Sequence, residues 1–239
     1  MFDLGWLYEK GKGVTQNYVK AREWYDKAAD KDNADAMVNL GWLYEQGRGV
    51  TQDYAKAREW YEKAAAKGDT NALTHLERLP ISEAAGAGRF TEALKLQEAL
   101  AAKRAAVEAK REGKPGEETA RALGSVAWRA LFAREFTRAL TVAERAHALL
   151  PDNLMIETNR AHVLMFLGRG KKSKALYLAY KGKPLSEQDA RLWERVIAED
   201  FAEFRKAGLT HPMMAEIEKE LGVSSSSSTT SRRERAVHR

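Results

Sequence analysis

The sequence contains no cysteine, and that absence removes disulfide frameworks and thiolate metal sites together. It fits a reducing compartment, and a cytoplasmic location is the expectation that follows. Long apolar runs are missing too. No stretch of about 18 apolar residues occurs, so no membrane-spanning helix is expected, and no charged, apolar and small-residue leader pattern opens the chain. Proline is scarce, with five in 239 residues, and Pro80, Pro115, Pro151, Pro184 and Pro212 are all expected at helix boundaries, where a missing N–H does no harm. The five histidines are scattered and form no H-E-x-x-H pair, so neither a metal site nor a cofactor is expected. Ser125, in "LGSVAW", sits inside a helical pattern where a nucleophile elbow cannot form. No catalytic residue and no enzymatic activity are expected.

Charge of one sign is also in short supply. The net charge is +6, and much of it lies in the C-terminal arginines. Neither "AKREGKPG" nor "GRGKKSKAL", which holds Lys171, Lys172 and Lys174, interleaves aromatics that would stack bases, and the tail arginines Arg232, Arg233 and Arg235 add only nonspecific attraction to a polyanion, so nucleic acid is not the expected partner.

What the sequence does have is repetition. "LGWLYEKGKGV" from Leu4 returns 36 residues later as "LGWLYEQGRGV" from Leu40, and 21 of the 26 positions from Leu4 to Ala29 are identical in Leu40 to Ala65. A period of 20 to 50 residues is the mark of stacked repeats. Within each copy, apolar residues at helical spacing such as Leu40, Leu43 and Tyr44 run into Gly47 and Gly49, which stop a helix where the backbone turns left-handed. A second stripe follows, with Tyr54, Ala57, Trp60, Tyr61, Ala64 and Ala65 on one broad face and Thr51, Gln52 or Asp53 available to cap it. Each copy is therefore expected to be an antiparallel helical hairpin. Leu4, Leu7 and Tyr8 are assigned to the core, and Gly5 and Gly41 to close helix approach opposite small alanines. The G-x-G pairs are turns between helices, whereas a phosphate-binding loop follows a strand.

The order LG, LYE, G-x-G-V and W-Y-x-K-A-A, kept in both copies, resembles the Sel-1-like repeat family, a relative of the tetratricopeptide repeat. A third copy starts at Ala72 but departs at "LTHLERLP", so the run is expected to stop near Leu79. From Pro80 the phrases "GRFTEAL" and "REFTRAL" open further second helices, and Ala120 to Pro151 resembles a tetratricopeptide unit. A more divergent unit follows, with Ser173 at a small-residue position. The organisation expected is two Sel-1-like repeats plus a truncated third over 1–79, tetratricopeptide-like repeats over 80–185, capping helices over 186–223, and a disordered Ser/Arg-rich tail over 224–239. Ser186 to Asp189 reads as a capping box for a helix through about Ala207, with Glu194, Glu199, Asp200, Glu203 and Arg205 on its wet face. The fold class is all-α, a right-handed α-α superhelix, or solenoid, of antiparallel hairpins.

The resemblance implies a scaffold that binds a partner protein or peptide on the concave face, which the first helices of such arrays line. Residues one step off the core stripe are the candidates: Asp35, Val38, Trp42 and Glu45 in the second hairpin, Arg121, Trp128 and Leu131 in the tetratricopeptide-like unit, and Met155, Thr158, His162 and Met165 in the next. Trp, Arg and Met are the types enriched at interface cores. The competing assignment for Trp42, Trp128 and Met165 is packing between repeats, and for Trp42 it is the first reading. Met1 falls inside the first copy, so a regulatory arm of a larger enzyme is a rival function, and nonspecific RNA association through the basic tail is another. Proteins resembling this one occur in bacteria, which sets the expected source.

Overall fold

The structure, a computed structural model, describes residues 1–186 and 189–223. Among these residues it is all-α, with twelve helices and no strand beyond one isolated bridge between Pro184 and Leu192. The chain divides into two compact units, Met1–Ala87 and a second that begins at Gly88.

The first unit holds α1 (Phe2–Lys10), α2 (Tyr18–Ala29), α3 (Ala34–Gln46), α4 (Tyr54–Ala66) and α5 (Thr70–Gly86). Each helix packs on its neighbours in chain order, and α3 also meets α5. Local chemistry sets these boundaries. Asn17, Asn33, Asp53 and Asp69 each accept the N–H three residues on, at 3.0, 2.7, 3.0 and 2.9 Å, so four of the five helices start on a side-chain cap. At the other end Gly47 adopts φ 63°, and the Arg48 N–H returns to the Leu43 carbonyl at 2.9 Å. The two hairpins use the same closing contact, because Gln16 donates to the Glu9 carbonyl and Gln52 to the Glu45 carbonyl, both at 2.7 Å.

Gly5 and Gly41 do mark close approach, but the neighbour is an aromatic ring. A Cβ built at Gly41 would lie 2.6 Å from the Tyr61 ring, and one at Gly5 would lie 2.6 Å from the Tyr25 ring. The alanines of the second helix pack elsewhere in the same core. Leu4 is a second correction. Its counterpart Leu40 is fully buried, whereas Leu4 is exposed, because α3 packs between α2 and α4 and α1, among the described residues, packs chiefly on α2.

Pro80 is a third correction. It lies inside α5, not at a boundary, so the division expected at Leu79 falls within a continuous helix, and the compact unit extends to Ala87. An interior proline removes one hydrogen bond and costs about 3 kcal/mol. Burial of Leu79 and Ile81 on either side of it offsets this, at roughly 1.5 to 3 kcal/mol for each large side chain. The Tyr54 hydroxyl of α4 passes over Gly86 and donates to the Ser82 carbonyl at 3.1 Å, which fastens the distal turn.

The second unit holds α6 (Phe90–Glu112), α7 (Glu117–Phe132), α8 (Phe136–Leu149), α9 (Leu154–Phe166), α10 (Gly170–Ala179), α11 (Trp193–Lys206) and α12 (Met213–Leu221). From α6 to α10 consecutive helices pack in order, and α12 rests on α10 and α11. Phe90 and Phe136 open α6 and α8, as the phrases "GRFTEAL" and "REFTRAL" lead one to expect, and Pro212 and Gly222 bracket α12. At Ser173 the hydroxyl replaces the expected apolar contact by donating to the Ala161 carbonyl at 2.9 Å.

Two expectations near α11 change. Ser186 Oγ accepts the Asp189 N–H at 3.0 Å, but the helix begins only at Trp193, and Glu187 and Gln188 lie outside the described residues. Asp200, placed on the wet face, is buried. The tail 224–239 also lies outside the described residues. Among the described residues no helix is long and apolar enough to cross a membrane.

The start of α7 has no cap of its own, because Gly116 carries no side chain. Glu108, eight residues earlier on α6, supplies it. Its carboxylate accepts the Gly116, Glu118 and Thr119 N–H groups at 2.9, 3.0 and 2.9 Å and the Thr119 hydroxyl at 2.5 Å. The Thr119 hydroxyl, followed by the backbone donors, holds this carboxyl at about 2 against an ordinary 4.5. A depressed carboxyl favours the folded state above its unfolded value, and that contribution disappears as pH falls toward the folded one. Between about pH 4.5 and 2 the wild-type protein is therefore expected to lose stability more steeply than Glu108→Gln. Urea midpoints taken across that window check this, and parallel slopes would contradict it.

Candidate functional site

On α3 the four candidates are spaced to share a face, but only Asp35 is exposed. Val38 and Trp42 belong to the core of the first unit. The Trp42 ring lies 6.4 Å from that of Tyr18, the first residue of α2, and the Arg48 guanidinium sits 5.1 Å from the same tyrosine ring. Trp42 is thus committed to the preceding hairpin. Glu45 is buried and accepts the Tyr61 hydroxyl at 2.7 Å, with His75 of α5 stacked on the Tyr61 ring at 4.5 Å. Burial pushes the Glu45 carboxyl up, but the facing side chains of His75, Tyr61 and Ser82 more than offset it and hold it below its ordinary value.

The first repeat builds the same device. The Tyr25 hydroxyl donates to Glu9 at 2.7 Å, and Asn39, the 36-residue counterpart of His75, approaches it from α3. Burial first, then the Glu9 charge, raises the Tyr25 phenol above its ordinary range. A carboxylate from one hairpin helix, a tyrosine from the other and a polar group from the next repeat fix the register of stacking. These residues do structural work inside the array.

On the second unit, Leu131, Thr158, His162 and Met165 are buried, and Met155 and Trp128 are half-buried. Thr158 turns its hydroxyl back to the Met155 carbonyl at 2.8 Å. His162 lies at the centre of a polar network that sequence reasoning missed. Its Nδ1 is 2.7 Å from the Tyr177 hydroxyl and its Nε2 is 2.9 Å from Asp200 Oδ2. Asp200 could have been found, because it shares the stripe of Trp193, Val196, Ile197, Phe201 and Phe204, and a carboxylate on an apolar stripe needs a buried partner.

Seven candidates, Val38, Trp42, Glu45, Leu131, Thr158, His162 and Met165, are therefore buried in the packing of their units, none more than 8% exposed. Of the second unit's candidates Arg121, Trp128 and Met155 stay wholly or partly accessible, and Arg121 and Trp128 share a stripe along α7. Arg121 and Ser125 are exposed one turn apart, and the half-buried Trp128 follows. Arg121 pairs with Glu117, and the Ser125 hydroxyl bonds back to the Arg121 carbonyl at 3.3 Å. The Trp128 indole is set by rings beneath it, with Phe132 edge-on at 4.9 Å and Phe204 at 5.1 Å. An aromatic surface packed on other rings loses little entropy on contact, which suits an anchor for an apolar side chain.

Residues 1–33 and 34–69 each match the family model of the Sel1 repeat. No curated protein matches the chain. Among solved structures, a Sel1 repeat protein from Oxalobacter formigenes is similar at 19% identity with a TM-score of 0.44, over 92% of this chain and 85% of that one. A protective antigen present in uropathogenic Escherichia coli strains, displaying an SLR fold, is similar at 19% identity with a TM-score of 0.34, over 99% of this chain and 66% of that one.

Proposed function

Because this chain carries two Sel1 repeats, and such repeats generally serve as protein-interaction scaffolds, we propose that it is a scaffold that holds a partner protein or peptide. The partner lies along first-type helices, and on the second unit it is anchored on the α7 stripe of Arg121, Ser125 and Trp128. The observation that carries this reading is the half-buried Trp128 ring, packed on Phe132 and Phe204, on the same stripe of α7 as the exposed Arg121 and Ser125. On the first unit the exposed Asp35 is the one original candidate that remains available.

Partner capture from the native cell tests it with two variants. Trp128→Ala removes the anchor and is expected to weaken binding by about 2 kcal/mol, roughly 30-fold. Ser125→Arg leaves the packing of Trp128 untouched, keeps good helix propensity at an exposed site and obstructs the face. Both variants are expected to lose the partners captured by the wild type while Ser125→Arg keeps the wild-type circular dichroism melt. Retention of the same partners by a folded Ser125→Arg protein would refute the α7 site.

A further inference from the structure

From α7 to α10 the helices pack on one another in chain order, with only residues 133–135, 150–153 and 167–169 between them. α11 departs from this pattern. It begins after residues 180–192, packs closely on α12, and reaches α7, α9 and α10 through its side chains. Phe204 lies among the rings of both first-type helices, 5.1 Å from Trp128 and 5.4 Å from Phe132 on α7, and 4.9 Å from His162 and 5.4 Å from Phe166 on α9. One turn back, Asp200 meets the His162 Nε2 at 2.9 Å. At the start of the helix the Trp193 indole donates to the Tyr177 carbonyl at 2.8 Å. The buried face is thus Trp193, Val196, Ile197, Asp200, Phe201 and Phe204, the spacing by which an amphipathic helix enters a groove on another protein.

We propose that α11 is an intramolecular ligand covering the face of α7 and α9, and that the partner is an amphipathic helix of the same kind, which displaces it. The occupant in place defines what fits: aromatic anchors one and two turns apart, and one carboxylate aimed at His162. This rests on the reading of α7 as the partner-binding helix and adds how that helix is kept occupied. With α11 seated, Trp128 is half-buried. With α11 lifted, Phe132, His162 and Phe166 join it on one open aromatic face. Because α11 is held through side chains and closes on α12, the two helices lift as a unit while α7 to α10 stay stacked. A partner's apparent affinity is then lowered in proportion to the fraction of molecules in which α11 is off.

The test uses the full chain and a labelled peptide of residues 191–209, which carries the α11 face. Two chain variants loosen the chain's own α11 without altering α7 or α9. Asp200→Asn replaces a charge-assisted hydrogen bond by a neutral one, and Phe201→Leu trims one ring. Fluorescence anisotropy is expected to show saturable binding of the peptide to both variants, about tenfold or more tighter than to the wild type, whose own α11 competes at high effective concentration. Phe204→Ala in the peptide is expected to weaken that binding by about tenfold. A lock supplies the control. The chain has no cysteine, so Lys174→Cys on α10 and Glu216→Cys on α12, which replace a salt bridge of 2.6 Å, can be joined by a short bis-maleimide in either variant. Cross-linking is expected to abolish peptide binding, and reduced, unlinked chains to retain it. Absence of saturable binding to both variants, or binding that survives the cross-link, would overturn the proposal. Partner capture lost in Ser125→Arg without any peptide binding condemns the cover alone, whereas peptide binding with unchanged capture condemns the α7 stripe alone.

Discussion

Replacing His162 by leucine is expected to lower the stability of the second unit by about 3 to 5 kcal/mol, read as a shift in the urea midpoint at unchanged slope. Leucine fills most of the imidazole volume, so a cavity is not the main cost. The main cost is what the ring leaves behind. Its two nitrogens face the Tyr177 hydroxyl at 2.7 Å and the Asp200 carboxylate at 2.9 Å, and both residues are buried. Phe204 stands edge-on to the imidazole at 4.9 Å and Phe201 lies 5.6 Å away, so the surroundings are a poor solvent for a carboxylate. A buried polar group deprived of its partner costs roughly 1 to 3 kcal/mol, and a charged one more. The compensating variant separates this from simple misfit. His162→Leu with Asp200→Leu removes both members of the pair, and the double variant is expected to recover much of the loss, because an apolar pair of similar size replaces an ionisable one at little cost. A His162→Leu midpoint within about 1 kcal/mol of wild type, or a double variant less stable than the single, would remove the network from the account of this core.

The helical hairpins could be read from the sequence because their signals are local. Gly47 ends α3, Asp53 caps α4, and the repeated Trp-Tyr pair gives the core stripe, each within a few residues of the structure it determines. The faces were harder to assign. Helical periodicity states the angle at which Trp42 leaves the hairpin core, but not what lies at that angle, and in a stacked array the space is filled by the preceding hairpin through Tyr18. Glu45 is taken up on the other side, by Tyr61 of its own hairpin and His75 of α5, and Val38 joins the core of the first unit. Pro80 shows packing overriding propensity, because the buried residues around it hold α5 together across a position that would end an isolated helix. Glu108 could not be assigned from sequence, since its partner Thr119 lies across a glycine-proline linker whose path no pattern fixes. Of the candidate site, Trp128, Met155, Arg121 and Asp35 stay wholly or partly accessible, and that depends on neighbours distant in the chain.

Alanine at Gly49 is expected to destabilise the first unit far more than alanine at Gly13, although the two glycines are equivalent in the repeat. Their backbones are nearly the same, with φ 66° and 72°, so both substitutions carry the left-handed penalty of about 1 to 2 kcal/mol for a residue with a Cβ. Only at Gly49 is there something to strike. The new methyl would lie 2.6 Å from the Tyr18 carbonyl carbon and 2.7 Å from the Val19 nitrogen, and these are backbone atoms of a capped helix that cannot rotate aside. Relief requires α2 and the turn after α3 to separate, which pulls Trp42 and Arg48 off Tyr18 as well. Overpacking of this kind costs roughly a further 1 to 3 kcal/mol. The difference between the two variants cancels the backbone term and isolates the contact between repeats. It is measured by thermal or urea unfolding of Gly13→Ala and Gly49→Ala side by side. Equal losses would mean that the turn glycines serve the local backbone alone and that the close approach of Gly49 to the start of α2 carries no share of the stability.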